Sequence, residues 1–290
     1  MNILLIGSSG QLGTELKSAL FFNHSVECPT RKDLNLADRN SITSFFNLNH
    51  KNMKFDFIIN CAAVHDLKYC EEHPDEALST NANAMYDLSL IALRYDTPLM
   101  YISTDYVFDG SIFTRYTPYA SPNPLSVYGK SKLIGELYLK SICKRYFIVR
   151  TAGLFGATPL RGKKENFVDM LVRRIQNDED IDVKHDEQSS FTYAVDLANE
   201  IAKLIESDKY GIYHIVNDGG GSWYNYACLI ARTIGFNAYK IGRISRKDFG
   251  DSALRPKNSI LASSVDNMPT IGDAIERYAK EKGYENLPKK

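Results

Sequence analysis

Cysteine is scarce in this sequence and shows no paired arrangement. The 290 residues include five cysteines, an odd number, and none of them belongs to a Cys-x-x-Cys pair. This count and spacing argue against a disulfide framework or a zinc site and fit a reducing compartment, so we expect a cytoplasmic protein. Cys61 stands in an apolar segment, which predicts a core position.

Excess charge and long apolar runs are also lacking. Lys and Arg together number 35, as do Asp and Glu, so the formal net charge is zero. This balance does not favour nucleic acid or an acidic membrane as a partner. No apolar run is long enough to span a bilayer, and the sequence begins directly with a strand pattern, so we expect no signal peptide. Two short basic clusters, residues 161–164 and 243–247, are interpreted as solvated loops.

Short apolar runs alternate with helical patterns along the first half of the chain. Residues 2–6, 55–63 and 99–104 have the apolar character of buried parallel strands. Residues 74–95 predict a long helix that begins at a proline, and the polar segment 64–73 before it predicts a loop. The length allows one large α/β domain or a large and a small lobe, and the second half has the pattern of a small lobe.

A glycine-rich turn follows the first strand. Gly7, Gly10 and Gly13 stand between the strand and a helical pattern that continues through Leu16 and Leu20. Such a turn lets backbone amides approach a pyrophosphate at the N-terminus of a helix, which predicts a dinucleotide site. The alternative is a tight strand–helix turn without a ligand.

The segments after the second and third strands bear on the same cofactor. Arg31 and Lys32 favour NADPH, because an arginine here can bind a 2′-phosphate. Asp33 keeps NADH open, since an acid can bind the ribose, and a solvated charged loop is a further alternative. Ala62 and Ala63 end the third strand, and such small side chains let a cofactor lie against the backbone or let a helix pack closely.

A hydroxyl, a phenol and an ammonium form the candidate catalytic set. Thr104 ends the strand over residues 99–104, and ligands of open α/β sheets bind at the carboxyl ends of strands. Tyr128 and Lys132 are four residues apart, so they share one face of a helix. A nearby ammonium favours the phenolate and lowers a tyrosine pKa. The alternative is a solvated Tyr–Lys pair on a surface helix.

Several motifs occur in a fixed order along nearly the whole chain. They are Gly7–Gly13, Asn60–Ala63, Ser103–Gly110, Tyr128–Lys132 with Gly135 and Glu136, Ser222–Tyr224, and Arg255–Ser259. Together they resemble the dTDP-4-dehydrorhamnose reductase family of the extended short-chain dehydrogenase/reductase superfamily. The run from Ser103 to Gly110 is the most specific of them.

The resemblance implies an α/β fold, a Rossmann-type doubly wound parallel sheet with a smaller C-terminal substrate-binding lobe. We expect an NAD(P)-binding domain over residues 1–152, with segments around 192–217 returning to it, and a nucleotide-sugar-binding lobe over residues 153–290. The family reduces the C4 ketone of a nucleotide-linked 4-keto-6-deoxyhexose with NADPH or NADH, for which NADPH is slightly favoured here. The product would be a deoxysugar precursor of surface polysaccharide.

The resemblance also implies a role for each matching residue. Tyr128 would donate the proton to the C4 oxygen, Lys132 would hold the nicotinamide ribose, and Thr104 would hydrogen-bond the C4 oxygen. The predicted substrate-binding residues are Thr104, Asp105, Tyr106, Trp223 and Arg255. The predicted cofactor-binding residues are Gly7, Ser9, Gly10, Gln11, Leu12, Gly13, Arg31, Asn35, Leu36, Cys61, Ala62, Ala63, Tyr128 and Lys132. A core tryptophan and a structural ion pair are the alternatives for Trp223 and Arg255.

Three departures from the family pattern fall near the expected substrate. Ala152 and Gly153 replace a Ser-Trp pair, which predicts empty space beside the sugar. Lys68 stands where an acid is usual, and Phe191 replaces a proline. The identity of the sugar and of the nucleotide therefore stays open. No metal-ligand pattern is present, so we expect no metal, and a homodimer is a possible assembly.

Two other functions are compatible with the same scaffold. The first is a nucleotide-sugar epimerase or dehydratase, although dehydratases of this superfamily usually carry a glutamate where Tyr106 stands. The second is a non-catalytic NADP-binding regulatory subunit, since a fold does not fix a function. The intact set of Thr104, Tyr128 and Lys132 favours the reductase over both.

Overall fold

The computed structural model describes residues 1–49, 55–158, 165–250 and 253–287. The strands are β1 Asn2–Ile6, β2 Ser25–Glu27, β3 Phe57–Asn60, β4 Leu99–Thr104, β5 Tyr146–Thr151, β6 Leu154–Phe155, β7 Ile181–Lys184, β8 Gln188–Ser189, β9 Thr192–Tyr193, β10 Gly211–His214, β11 Gly221–Ser222 and β12 Ile241–Ile244. The α-helices are α1 Gln11–Leu20, α2 Arg39–Asn49, α3 Leu67–Glu72, α4 Pro74–Leu78, α5 Ala84–Tyr95, α6 Val127–Ile142, α7 Phe167–Gln176, α8 Ala194–Leu204, α9 Trp223–Thr233 and α10 Ile271–Glu281.

Six parallel strands form the central sheet, in the order β10-β5-β4-β3-β1-β2. The strand order reverses at β1, because β2 lies on one side of it and β3 on the other. In doubly wound sheets a crevice opens at such a point, outside the carboxyl ends of the strands. The predicted fold class, a Rossmann-type doubly wound parallel sheet, is confirmed.

Apolar side chains cover both faces of the sheet, as the continuous apolar runs predict for parallel strands. On one face Ile58 and Leu99 pack with Leu88 of α5. On the other face Leu5 packs with Leu16 of α1, among others. A separate core joins α7, α9 and α10 in the C-terminal half, and it includes the aromatic residues Phe155, Phe191 and Tyr278.

One segment of the C-terminal half returns to the sheet. Strand β10 pairs in parallel with β5, where Tyr213 lies opposite Val149. Helix α8 packs against α1 beneath the same sheet, and Leu197 and Ile201 contribute to that core. The division of the chain at residue 152 stays a prediction.

The polar segment 64–73 differs from its predicted loop structure. It contains α3, which begins after Asp66 because the Asp66 carboxylate accepts a hydrogen bond from the amide of Tyr69. The long helix predicted over residues 74–95 is interrupted by a π-helical turn over Ser79–Asn83. Within the described ranges, no helix has both the length and the apolar character needed to cross a membrane. The basic cluster at residues 161–164 lies outside the described residues.

Candidate active site

The glycine turn brings the end of β1 against the end of β3. Gly7 has a φ of +84°, and a Cβ on it would lie 2.7 Å from the backbone nitrogen of Ala62. A Cβ on Gly13 would lie 2.2 Å from the carbonyl oxygen of Gly7. Both positions therefore require glycine, the first for a left-handed backbone and the second for close packing of α1 on the turn.

Gly10 has a different environment that suits a phosphate. Among the described residues, a Cβ there would contact only the Gly7 oxygen, at 3.4 Å, which leaves open space at this point of the turn. Gly10 is also the N-cap of the ten-residue helix α1, and no side chain of the described residues caps that end. Free amides at a helix N-terminus attract an anion, so the turn fits the pyrophosphate of a dinucleotide.

Gln11 connects this turn to the loop after β6. Its side-chain nitrogen donates to the carbonyl oxygens of Gly156 and Thr158, at 3.3 and 3.2 Å. Its side-chain oxygen is buried and has no hydrogen-bond partner among the described residues. A buried acceptor of this kind is costly unless a ligand or water satisfies it.

The other predicted cofactor residues differ in what they can offer. Leu12 and Leu36 are buried in the two sheet cores, so only their backbones can reach a cofactor, whereas Ser9 is exposed. The Asn35 side chain accepts from the amide of Ala37. Burial raises the pKa of the Cys61 thiol to about 12, which keeps it a neutral and unreactive group at the end of β3.

The charged loop after β2 favours NADPH over NADH. The Asp33 carboxylate accepts from both the amide and the hydroxyl of Thr30, at 2.9 and 2.7 Å, which lowers the pKa of Asp33. Because the Asp33 carboxylate already accepts these two hydrogen bonds within the turn, it is less suited to bind ribose hydroxyls. Arg31 is half exposed and lies 3.8 Å from Glu76, a weak surface pairing that leaves its guanidinium accessible.

Local packing brings Tyr128 to the end of β4. Helix α6 begins after Ser126, whose hydroxyl accepts from the amide of Gly129 at 3.1 Å. A Cβ on Gly129 would lie 2.2 Å from the carbonyl oxygen of Tyr106, so only glycine allows this approach to the turn after β4. The rings of Tyr106 and Tyr128 then meet edge to face, with centroids 6.2 Å apart.

The electrostatics of Tyr128 differ from the expectation. Burial raises its pKa above the ordinary value, hydrogen bonding with the Thr104 hydroxyl lowers it, and the nearby Asp105 raises it. The phenol therefore keeps its proton at neutral pH, because burial disfavours the phenolate more than the local hydrogen bond favours it.

The side chain of Lys132 lies against strand β4. Its ammonium donates to the carbonyl oxygen of Ile102 at 2.6 Å and stands 3.8 Å from the centre of the Tyr101 ring. Burial lowers the pKa of Lys132 to about 7, and the nearby Glu136 raises it. The amine is therefore poised near neutral pH rather than permanently charged.

Two of the predicted substrate residues, Tyr106 and Arg255, are joined beside Tyr128. Arg255 donates to the phenol oxygen of Tyr106 at 3.1 Å, so the structure joins these two residues. Arg246 donates to the carbonyl oxygen of Arg255 at 2.8 Å, and Arg243 stacks 4.5 Å from the ring of Tyr224. The prediction that residues 243–247 form a solvated loop is correct only in part, because residues 243 and 244 belong to β12 and Arg246 is bound to the backbone of Arg255, whereas Arg243 is exposed.

Trp223 lies in an aromatic cluster, with its ring centroid 4.9 Å from Phe167 and 4.8 Å from Phe191. Its backbone amide donates to the carbonyl oxygen of Glu187. Its indole nitrogen is buried and has no hydrogen-bond partner within the described part of the chain. Trp223 thus has the packing of a core residue together with a donor that a ligand could use.

The empty space predicted beside Gly153 is not present. A Cβ on Gly153 would lie 2.5 Å from the carbonyl oxygen of Ser190 and 2.9 Å from the ring of Phe191. Phe191 is buried and stacks 3.8 Å from Tyr226. Phe191, which replaces a proline of the family pattern, therefore fills the space that Gly153 opens. The third departure from that pattern, Lys68, is exposed and pairs loosely with Glu72.

Two serines that are not among the predicted site residues complete the surroundings of Asp105, although Ser259 stands within the motif Arg255–Ser259. The Ser189 hydroxyl lies 3.4 Å from an Asp105 carboxylate oxygen, and Ser259 lies beside Ser189. Both come from the C-terminal half, more than eighty positions from Asp105. The Asn81 side chain, in the π-helical turn, accepts from the amide of Val64 and donates to its carbonyl oxygen.

Comparisons with known proteins agree with this geometry. The chain matches the family described as RmlD substrate binding domain over residues 1–278. It is 32% identical over 286 residues to the spore coat polysaccharide biosynthesis protein SpsK of Bacillus subtilis, covering 97% of each chain. It is also 32% identical over 272 residues to a dTDP-4-dehydrorhamnose reductase of Aggregatibacter actinomycetemcomitans, covering 89% of this chain and 90% of that one.

A solved structure extends the similarity to three dimensions. It is the dTDP-4-dehydrorhamnose reductase of Bacillus anthracis in complex with NADP, with a TM-score of 0.88 and 31% sequence identity. The match covers 97% of this chain and 99% of that chain. The family predicted from the motifs is therefore confirmed, and the chain belongs to the dTDP-4-dehydrorhamnose reductase family, which carries the RmlD substrate binding domain.

Proposed function

We propose that this chain reduces the C4 ketone of a nucleotide-linked 4-keto-6-deoxyhexose with NADPH. The observation that carries the proposal is the meeting of Thr104 and Tyr128 at the carboxyl end of β4. That end of the strand faces the same edge of the sheet as the glycine turn after β1. A relative at 32% identity that is named a reductase favours this activity over the epimerase and the regulatory subunit.

The protonation state of Tyr128 suits a reduction. A ketone that accepts a hydride must also gain a proton at its oxygen, and the raised pKa of Tyr128 keeps that proton on the phenol until it is needed. Lys132, with a pKa of about 7, would hydrogen-bond the nicotinamide ribose. The hydride itself is supplied by the nicotinamide when the cofactor is bound.

The cofactor is NADPH, and the basic pair Arg31 and Lys32 after β2 slightly favours the same cofactor. The similar reductase of Bacillus anthracis was determined in complex with NADP. In this chain the glycine turn would hold the pyrophosphate at the N-terminus of α1, and Arg31 would contact the 2′-phosphate. The hydrogen bond from the Thr30 hydroxyl to the Asp33 carboxylate supports the same preference for NADPH over NADH.

The substrate is a nucleotide sugar, and we propose a dTDP-linked one. Relatives in two organisms carry names that specify dTDP-linked substrates. In this chain the buried indole nitrogen of Trp223 would donate to such a ligand, and Arg255, which already donates to the phenol oxygen of Tyr106, would add a positive charge toward its phosphates. The name of SpsK supports a product that enters a surface polysaccharide.

The proposal is tested by NADPH oxidation with dTDP- and UDP-linked 4-keto-6-deoxyhexoses made in situ. We expect oxidation with the dTDP sugar and a loss of about 10²–10⁴-fold in kcat for Tyr128→Phe, the usual contribution of a general acid. Tyr138→Phe, on the same helix and partly exposed, is the matched control and should keep full activity. Full turnover by Tyr128→Phe would refute the assigned role, and no oxidation with either sugar would refute the activity.

A homodimer is the assembly we propose to test beside this. Light scattering coupled to gel filtration separates a 32.8-kDa monomer from a dimer of twice that mass. A single monomeric peak at enzyme concentrations used in the assay would refute the dimer.

A further inference from the structure

The ammonium of Lys132 lies between a backbone carbonyl and the face of an aromatic ring. It donates to the carbonyl oxygen of Ile102 at 2.6 Å and stands 3.8 Å from the centre of the Tyr101 ring. Both side chains are buried, Lys132 with 2% and Tyr101 with 0% of its surface exposed. The face of a tyrosine ring carries negative charge, so it attracts a cation, and it does so more strongly where water is excluded. Tyr101 is therefore a buried partner of the Lys132 charge.

Two further contacts fix the ring of Tyr101 in this place. Its phenol donates to the carbonyl oxygen of Asn81 at 2.7 Å. Asn81 belongs to the π-helical turn over Ser79–Asn83, and turns of this kind are frequent at functional sites. Helix α6 also approaches closely, because a Cβ on Gly135 would lie 2.5 Å from the same Asn81 oxygen and 3.0 Å from the Tyr101 ring. The ring is thus held by its phenol and packed against α6, the helix that carries Lys132.

We propose that Tyr101 is a positioning residue whose ring face holds Lys132 as an ammonium directed toward the nicotinamide ribose. The inference rests on the proposed function and deepens it. An ammonium has three N–H donors. The carbonyl oxygen of Ile102 takes one and the ring face of Tyr101 takes another, so the third is available to a ribose hydroxyl. A neutral amine has a lone pair in place of one donor, and the negative ring face repels that lone pair, so the ring favours the charged form.

The ring acts against burial, which lowers the pKa of Lys132 to about 7. Glu136, one turn further along α6, raises that pKa, but its carboxylate also accepts from Arg150 of β5 at 2.6 Å and from the hydroxyl of Ser103. Burial raises the pKa of the Tyr101 phenol well above its ordinary value, so the ring stays neutral. Among the described residues, the other titratable groups that act on this pair are Cys61 after β3 and Tyr128 on α6, and Cys70 on α3 acts on Tyr128.

Removal of the ring gives a prediction with a defined sign. A desolvated contact between a cation and a ring face stabilises the ammonium enough to raise its pKa by about one unit, so Tyr101→Leu should lower the pKa of Lys132 by that amount. We expect kcat/KM for NADPH to fall as the ammonium loses its proton. The falling limb should therefore move to lower pH by about one unit, which is about a tenfold lower kcat/KM above the limb. Below both limbs the two enzymes should differ little, because Lys132 is charged in both.

Other variants separate the ring face from the packing of Tyr101. Tyr101→Phe keeps the face and loses the hydrogen bond to Asn81, so it should lower stability and leave the pKa of Lys132 close to the wild-type value. Phenylalanine analogues with increasing ring fluorination at this position keep the ring shape and withdraw charge from its face, so the pKa should fall stepwise.

Phe147→Leu is the matched control for the loss of a buried aromatic ring. Phe147 is also 0% exposed and stands on the neighbouring strand β5, but it belongs to the core on the opposite face of the sheet from Tyr101. We therefore expect Phe147→Leu to lower stability without moving the titration of Lys132.

The experiment follows the ¹³Cε signal of Lys132 against pH in lysine-labelled protein, with the signal assigned by its loss in Lys132→Met. The values of kcat/KM for NADPH are measured over the same pH range. A titration and a limb that move together to lower pH in Tyr101→Leu and with ring fluorination, but not in Phe147→Leu, support the proposal. If Tyr101→Leu does not fold, the comparison of Tyr101→Phe with its fluorinated analogues decides.

Three results would overturn the proposal. They are an unchanged titration of Lys132 when the ring face is weakened or removed, an equal movement in Phe147→Leu, and a titration that moves while the kcat/KM limb stays in place. If the wild type oxidises no NADPH with any of the sugars, the proposed function fails, and the lysine titration still decides whether the Tyr101 ring holds the charge of Lys132.

Discussion

Replacement of Lys132 by methionine tests how strongly the candidate site disfavours a buried charge. Lys132 is 2% exposed, and its ammonium is held by the Ile102 carbonyl oxygen at 2.6 Å and the Tyr101 ring. Burial lowers its pKa from 10.5 to about 7. In the unfolded chain the amine has its ordinary pKa, so folding removes a proton over the range between these two values.

The sign and size of the effect follow from proton linkage. Between about pH 7 and about pH 10.5 the unfolded state binds one more proton than the folded state, so the free energy of unfolding rises with pH. The slope for one proton is about 1.4 kcal/mol per pH unit. From about pH 8 to about pH 10, Lys132 should therefore add about 3 kcal/mol to the pH-dependent stability of the wild type. Lys132→Met should lack this rise.

Urea unfolding of the wild type and of Lys132→Met at several pH values measures the difference directly. Every other titrating group is common to both proteins, so its contribution cancels to the extent that it is independent of position 132. Lys130→Met is the control, because Lys130 is exposed on the same helix and should give the wild-type slope. Parallel curves for the wild type and Lys132→Met would refute the argument, since they would mean that folding does not desolvate this amine.

Two further substitutions test the geometry of the cofactor and catalytic groups. Gly129→Ala places a methyl group 2.2 Å from the Tyr106 carbonyl oxygen. We therefore expect α6 to shift and kcat to fall by about 10²-fold, because Tyr128 is misplaced. An unchanged kcat would show that the close approach at Gly129 is unimportant. Arg31→Ala should raise KM for NADPH by about 10- to 100-fold, because a charge-assisted hydrogen bond is lost. KM for NADH should stay unchanged. Equal effects on both cofactors would contradict a contact between Arg31 and the 2′-phosphate.

Much of the fold could be predicted because its signals are local. The apolar run of β1, the glycines after it and the amphipathic pattern of α1 are contiguous, and the structure has them as Asn2–Ile6 and Gln11–Leu20. The interruption of the helix over residues 74–95 was not predicted, and the contacts made within it reach residues distant in the sequence. Asn81 binds the backbone of Val64 and the hydroxyl of Ser131, and no propensity within the helix encodes those contacts.

The candidate site could be predicted only where its residues stand close together in the sequence. Tyr128 and Lys132 share a helix face by spacing, and Thr104 ends a strand by pattern. Ser189 carries no such mark, because single serines are common and its partner lies at position 105. Ser259 stands in the motif Arg255–Ser259, but nothing in that motif points to Asp105. Their place beside Asp105 depends on the pairing of β8 with the loop near Asn258, which is a tertiary contact.

The spacing of Tyr128 and Lys132 also predicted the wrong direction for the pKa of the tyrosine. A tyrosine and a lysine one helical turn apart suggest a phenol whose pKa is lowered by an ammonium, which is correct where both groups are solvated and charged. Here both are desolvated, so burial raises the pKa of Tyr128 and lowers that of Lys132, and each group moves toward its neutral form. For a reduction this arrangement keeps the transferable proton on the phenol. The property that matters is therefore burial at the end of β4, which follows from the close packing at Gly129 and is absent from the Tyr-x-x-x-Lys pattern itself.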